Sequence, residues 1–315
     1  MTKTPSPPVH RRRVQSADVD VGGHLGAGTL LEWIESAAHA TAIRWCDGVS
    51  VLASVGTFHL DHPVGIGAVV ELRADLVHTG HSSMHVLVTI VIDHPAHRQT
   101  AQCPMVYVAI GNGGHPVTVP AWTPLTMLDL QRQRQARVRA ITRKRIETAI
   151  AATDFRGSDT PCTTMRFRAG RADVNPDGTV RGGRVLRWID EVAYVCGAAW
   201  TGSDVAVGYL AGIRCAEAIS VGDAVDVTAR IIHTGPRSVH CVVRCTGADA
   251  IGTRLLAEGL VVLVALEERG GARHIPQWLP GCEPDSLLDR QARELVHARQ
   301  YIEPFTTVAD HRRGA

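Results

Sequence analysis

The chain has 315 residues, 45% of them apolar, and a formal net charge of +2. That length holds one large domain or two ordinary ones, and the near-neutral balance gives no overall electrostatic case for a nucleic-acid partner. No apolar run is long enough to span a bilayer, and the Met1–Arg13 segment lacks the apolar core of a secretory signal.

In chain order, that polar, Pro-rich and basic start reads as a solvated arm rather than a nucleic-acid-binding one. Gly28–Trp45 is Ala-rich, free of Pro and apolar on most sides, which predicts a buried helix. Val69–Val77 alternates apolar and polar residues as a strand, His78–His81 is turn chemistry, and Met84–Ile92 and Met105–Ile110 read as return strands. Leu125–Ala151 is a charged connecting helix with faces expected in solvent. Then the order repeats: helix Gly183–Trp200, strand Ala224–Ile232, turn His233–Pro236, strands Val239–Cys245 and Leu260–Leu266, and a helix around Leu287–Arg293. The eight cysteines form no C-x-x-C pair and read as buried, reduced thiols, which points to the cytoplasm.

The repetition extends to single residues. Leu31-Glu-Trp-Ile34 recurs as Leu186-Arg-Trp-Ile189 and His78-Thr-Gly80 as His233-Thr-Gly235, always 155 positions on, from Trp33 to Trp188 and from His78 to His233. Pro120-Ala-Trp122 matches Pro276-Gln-Trp278 at 156. One residue has therefore been gained in between, and the turn around Asp93–Thr100 versus Thr246–Thr253 is its expected place. The unit is too long for a solenoid, so the chain is a duplicated domain. A helix followed by an antiparallel meander, twice, is an α+β pattern with each helix wrapped by a sheet.

Gly183-Arg-Val-Leu-Arg-Trp-Ile-Asp-Glu191, with Val221-Gly-Asp223, His233-Thr-Gly235 and Ser238, resembles the acyl-CoA thioesterase branch of the HotDog superfamily. Gly26–Glu35 resembles the variant in animal cytosolic acyl-CoA hydrolases, which carry tandem repeats. The resemblance covers roughly residues 14–125 and 168–281. It implies a double HotDog with repeats at 14–125 and 161–281, a helical linker at 126–160, and a C-terminal helix and tail at 282–315. It also implies an acyl-CoA substrate and a homo-oligomer of three chains, with neither nucleic acid nor membrane insertion.

Thioester hydrolysis needs a carboxylate to activate water and N–H donors for the developing oxyanion. Gly28 and Gly183 stand where the two helices begin, and amides there are free to donate. Asp190 lies two turns into an apolar helix, an expensive place for a carboxylate, and Glu35 holds the matched position. Asp20 and Asn175, fifteen residues upstream, match each other. The resemblance pairs the upstream residue of one repeat with the carboxylate of the other, giving Asn175 with Glu35 and Asp20 with Asp190. The first pair keeps an amide facing an acid and is preferred. The second sets two acids face to face, so that one tends to hold a proton.

By the same resemblance Thr79, Gly80, Ser83, Thr234, Gly235 and Ser238 contact CoA, and Arg237 meets a phosphate; ordinary hairpin turns are the alternative. His59 and His62 make no metal set, and no dinucleotide fingerprint, P-loop or serine elbow is present, so no metal or cofactor is expected. A non-catalytic acyl-CoA-binding protein and a HotDog hydratase or dehydratase, with His24 near the helix start, are the rival functions.

Overall fold

The computed structural model describes residues 9–299 apart from 21, 61, 95–96, 249–251 and 268–270. Helix α1 (Ala27–Cys46) forms where Ala-rich apolar sequence runs unbroken, and it stops at Asp47, whose left-handed backbone (φ 53°) returns its amide to the Ile43 carbonyl. Helix α3 (Gly182–Thr201) is its counterpart and stops at Gly202, φ 63°.

Around α1 lie β1 (Val9–Arg13), β2 (Val49–Val55), β3 (Val69–Thr79), β4 (Ser83–His94) and β5 (His97–Ile110). Around α3 lie β6 (Cys162–Arg168), β7 (Val205–Cys215), β8 (Ala224–Thr234), β9 (Ser238–Ala248) and β10 (Thr253–Ala265). All pair in one ten-stranded sheet, ordered β1-β3-β4-β5-β2-β7-β10-β9-β8-β6. The halves join at β2 and β7, where Ser54 faces Arg214 and Val55 faces Ile213. One hydrophobic core runs through both, with Leu30, Leu31 and Ile34 of α1 and Leu186, Trp188 and Ile189 of α3 sealed from solvent.

Three expectations change. Residues 1–8 of the basic start lie outside the described residues; Val9–Arg13 is an edge strand on β3, ahead of the expected boundary at residue 14. Its backbone bonds hold it there although most of its side chains face water. The gained residue is not in the turn. Thr100 faces Val91 as Leu255 faces Thr246, but Ala101 faces Ile90 whereas Ala257 faces Cys245. Leu256 is the extra residue, absorbed as a β-bulge in β10.

The connecting helix α2 (Met127–Ala151), capped by Thr126 and Asp129, is not simply solvated. It packs across the outer face of the sheet, burying Arg132 against Asp75 (3.4 Å) and Glu147 beside Arg143 (3.3 Å). Helix α4 (Glu283–Arg299) covers the second half, and the tail from residue 300 lies outside the described residues. Cys103, Cys196, Cys241 and Cys245 are buried thiols as expected, whereas Cys162 is exposed. No described helix is long and apolar enough to cross a membrane.

Candidate active site

Helices α1 and α3 touch at their first turns. A Cβ on Gly183 would stand 2.9 Å from the Glu32 Cα, and one on Gly28 3.1 Å from the Arg187 Cα, so only glycine permits this approach. The contact lays each helix start on the other helix's acid: the Gly28 amide donates to Asp190 Oδ2 (2.7 Å), and the Gly183 amide donates to Glu35. Here the geometry departs from the sequence expectation. Both amides hold carboxylates in place instead of lying open for an oxyanion. Arg187 to Glu32 (3.1 Å) and Arg184 to Asp173 (2.7 Å) brace the same junction.

Asn175 and Asp20 each open a tight loop closed by the same two backbone bonds, Asn175 with Thr179 and Gly178, Asp20 with His24 and Gly23. Gly178 and Gly23 make these loops possible, at φ 84° and 76°. Each loop sits beside the opposite repeat's helix, so the structure does bring the four residues into two composite sites.

At the first, Glu35 is 5% exposed. Burial pushes its pKa up, against His39, the Gly183 amide, the Tyr107 hydroxyl and Arg181, which pull it down. The Tyr107 hydroxyl donates to Glu35 Oε1 (3.2 Å), and its ring stacks on His39, whose Nε2 meets the Ser50 carbonyl (3.0 Å). Two cavities meet here. One, about 230 Å³ and mainly apolar, runs from Glu35, His39 and Asn175 between Leu52, Val185 and Leu256. The other, about 250 Å³, reaches the same three residues past Arg181, Arg184 and Glu32.

At the second site, burial raises the Asp190 pKa to about 6, helped by Glu191 and Asp20, while the Gly28 amide and Arg187 oppose it. Asp20 Oδ1 accepts the His24 amide (3.1 Å), and the Tyr194 hydroxyl donates to Asp204 Oδ1 (2.9 Å). A single cavity of about 640 Å³ contains Asp20, Gly28 and Asp190 and extends to Met165, Val207 and Leu263.

The other sequence candidates lie elsewhere. Gly80 and Gly235 close hairpins onto Ser83 and Ser238, and the Thr79 and Thr234 hydroxyls accept the backbone amides of Trp122 (2.9 Å) and Trp278 (2.8 Å). Those tryptophan segments are tied in turn by the Trp45 and Trp200 indoles to the Pro120 and Pro276 carbonyls. None of the seven residues proposed for CoA, Arg237 included, lines the cavities at Glu35 or Asp190. They lie in or beside the β3–β4 and β8–β9 hairpin turns. His233 Nδ1 meets Asp289 of α4 (2.6 Å), and no group of three or more potential metal ligands is found among the described residues.

Tyr107, His39 and Arg181 escaped the sequence reading because the repeat does not duplicate them: Leu263, Tyr194 and Gly26 hold their places. A search for recurrence passes over residues unique to one site.

Comparison with known sequences settles the family. The thioesterase superfamily domain matches twice, at residues 22–96 and 177–249. A Bacillus subtilis protein named as an uncharacterized acyl-CoA thioester hydrolase is 30% identical over 157 residues, 91% of its length and 49% of this chain. The chain belongs to the thioesterase superfamily. It is a thioester hydrolase with the domain in tandem, a double HotDog. The human cytosolic acyl coenzyme A thioester hydrolase is 23% identical over 300 residues, 87% of this thioesterase and 78% of the human protein. A solved Lactobacillus plantarum structure, provisionally assigned as an oleoyl thioesterase, shares the fold with a TM-score of 0.57 at 12% identity, covering 82% of this thioesterase and 96% of that chain.

Proposed function

We propose that this thioesterase hydrolyses acyl-CoA to a free acid and CoA, with Glu35 as general base and Asn175 as the donor to the thioester carbonyl. The observation that carries the reading is the meeting of an apolar and an Arg-lined cavity at Glu35 and Asn175. The first suits an acyl chain, the second the pantetheine arm and its phosphates. Water adds to the carbonyl carbon while its proton passes to Glu35. With the Gly183 amide committed to that carboxylate, the oxyanion takes the Asn175 side-chain N–H. Collapse breaks the C–S bond, and the proton held by Glu35 moves to the departing thiolate. A carboxyl group whose pKa burial has raised is a stronger base than a solvated one.

The test is thiol release from acyl-CoA substrates. With butyryl-CoA, Glu35→Gln and Asn175→Ala should lower kcat by roughly 10²–10⁴ with a smaller change in KM. Unchanged release in both variants would overturn the assignment. We propose in addition a cytoplasmic protein assembled from three chains, about 100 kDa from the 33.9 kDa protomer. A protomer mass by light scattering at micromolar concentration would exclude that assembly.

A further inference from the structure

The two composite sites occupy matched places but have different interiors. Position by position, the 640 Å³ cavity at Asp190 corresponds to both cavities at Glu35 taken together. Asp20, Asp190 and Tyr194 stand for Asn175, Glu35 and His39, and Val207 stands for Leu52. What is one chamber around Asp190 is two smaller ones around Glu35, and four differences account for the waist.

Gly26 occupies the place of Arg181, so no side chain extends into the mouth from that position. Asp190 is one methylene shorter than Glu35. Leu263 replaces Tyr107, whose hydroxyl reaches across to Glu35. Leu256, the bulged residue, lines the Glu35 cavity and has no counterpart in the first repeat. Ligand pockets commonly span roughly 300–1,000 Å³, and each added methylene of an acyl chain contributes about 0.8 kcal/mol when buried. The undivided chamber rewards a long chain. The apolar cavity of about 230 Å³ at Glu35 has room for a short one.

We infer that the Asp20–Asp190 chamber is a second hydrolytic site of this thioesterase, one that takes long acyl chains while the Asn175–Glu35 site takes short ones. The inference rests on the thioesterase reading above. The chemistry is the same: water adds to the carbonyl, Asp190 takes its proton and returns it to the leaving thiolate as the C–S bond breaks. Asp20 stands where Asn175 stands at the other site and shapes the loop that walls the chamber, its Oδ1 accepting the His24 amide (3.1 Å).

The experiment is thiol release by the full chain with butyryl-, octanoyl- and palmitoyl-CoA, for the wild type, Glu35→Gln, Asp190→Asn and Gly26→Arg. The last rebuilds the waist with little backbone cost: Gly26 and Arg181 cap their helices with matching backbone angles (φ −59° and −60°), and a Cβ at Gly26 meets only Thr29 Oγ1, at 3.8 Å. The palmitoyl-to-butyryl rate ratio should rise at least tenfold in Glu35→Gln and fall at least tenfold in Asp190→Asn and Gly26→Arg. If Asp190→Asn unfolds, as its melting curve would show, Gly26→Arg decides. An active wild type whose ratio stays fixed in the folded variants overturns the inference and leaves the thioesterase reading standing. A wild type inert with all three substrates overturns both.

Discussion

The Glu35 and Asp190 sites use the same parts: an acid on a central helix, an amide from the start of the other helix, and a loop from the opposite repeat. They differ in what surrounds the acid. Glu35 is walled in by Tyr107, His39 and Arg181, whereas Asp190 looks into one broad, mainly apolar chamber. The constraint that fixes the parts is backbone contact between α1 and α3, which tolerates only glycine at positions 28 and 183. No such constraint acts on the walls, and it is the walls that have diverged.

The sharpest way to break this comparison is to remove both acids. Glu35→Gln with Asp190→Asn should lower thiol release by roughly 10²–10⁴ at every chain length, more than either change alone on a mixed substrate pool. Equal loss in one single variant and in the double would show that only one acid works.

A second contrast is structural. Glu258 of β10 is 1% exposed and holds Arg214 (2.7 Å) and Arg244 (3.3 Å), while the first repeat has Gln102 in its place. Glu258→Gln should cost roughly 2–3 kcal/mol in urea unfolding, below the value for a fully buried pair because both arginines are partly open to water. Loss of less than about 0.5 kcal/mol would mean that the arginines find other partners.

Turnover at Asp190 should also depend on pH. Asp190, with its pKa raised to about 6 amid Asp20, Glu191, Arg187 and the Gly28 amide, is active as a base only when ionised. Palmitoyl-CoA turnover should therefore fall about tenfold per pH unit below 6. The sign for folding is opposite: a carboxyl whose folded pKa is raised favours the fold below the ordinary carboxylate range and loses that contribution as pH rises through about 6. Asp190→Asn should accordingly raise the melting temperature at pH 7 relative to the wild type, and a lower value would contradict the burial penalty. The smallest effect is expected of Tyr107→Phe, which removes one hydrogen bond to Glu35 and should slow butyryl-CoA hydrolysis about fivefold while leaving palmitoyl-CoA unaffected.

The duplicated helices were legible because their signal is composition over five turns, and the matched acids because they recur in register. β1 was not legible: Val9-His-Arg-Arg-Arg13 carries no apolar alternation, and an edge strand needs only its backbone to pair. The bulge at Leu256 was visible as a change of offset but not in its position, because a single-residue insertion in a strand leaves no turn residue to mark it. Val49–Val55, the strand that joins the halves, was missed because its seven residues follow the helix end directly and both its edges are used.

Helix α2 ties the two halves into one polypeptide, and that changes what a mutation can do. In a pair of identical chains every substitution is written twice, once into each site, so neither can be edited without the other. Here a glycine at 26 opens one mouth while an arginine at 181 narrows the other, and the extra leucine at 256 reaches a single chamber. In one polypeptide the two sites are separately heritable characters, on a sheet and a helix pair that both share.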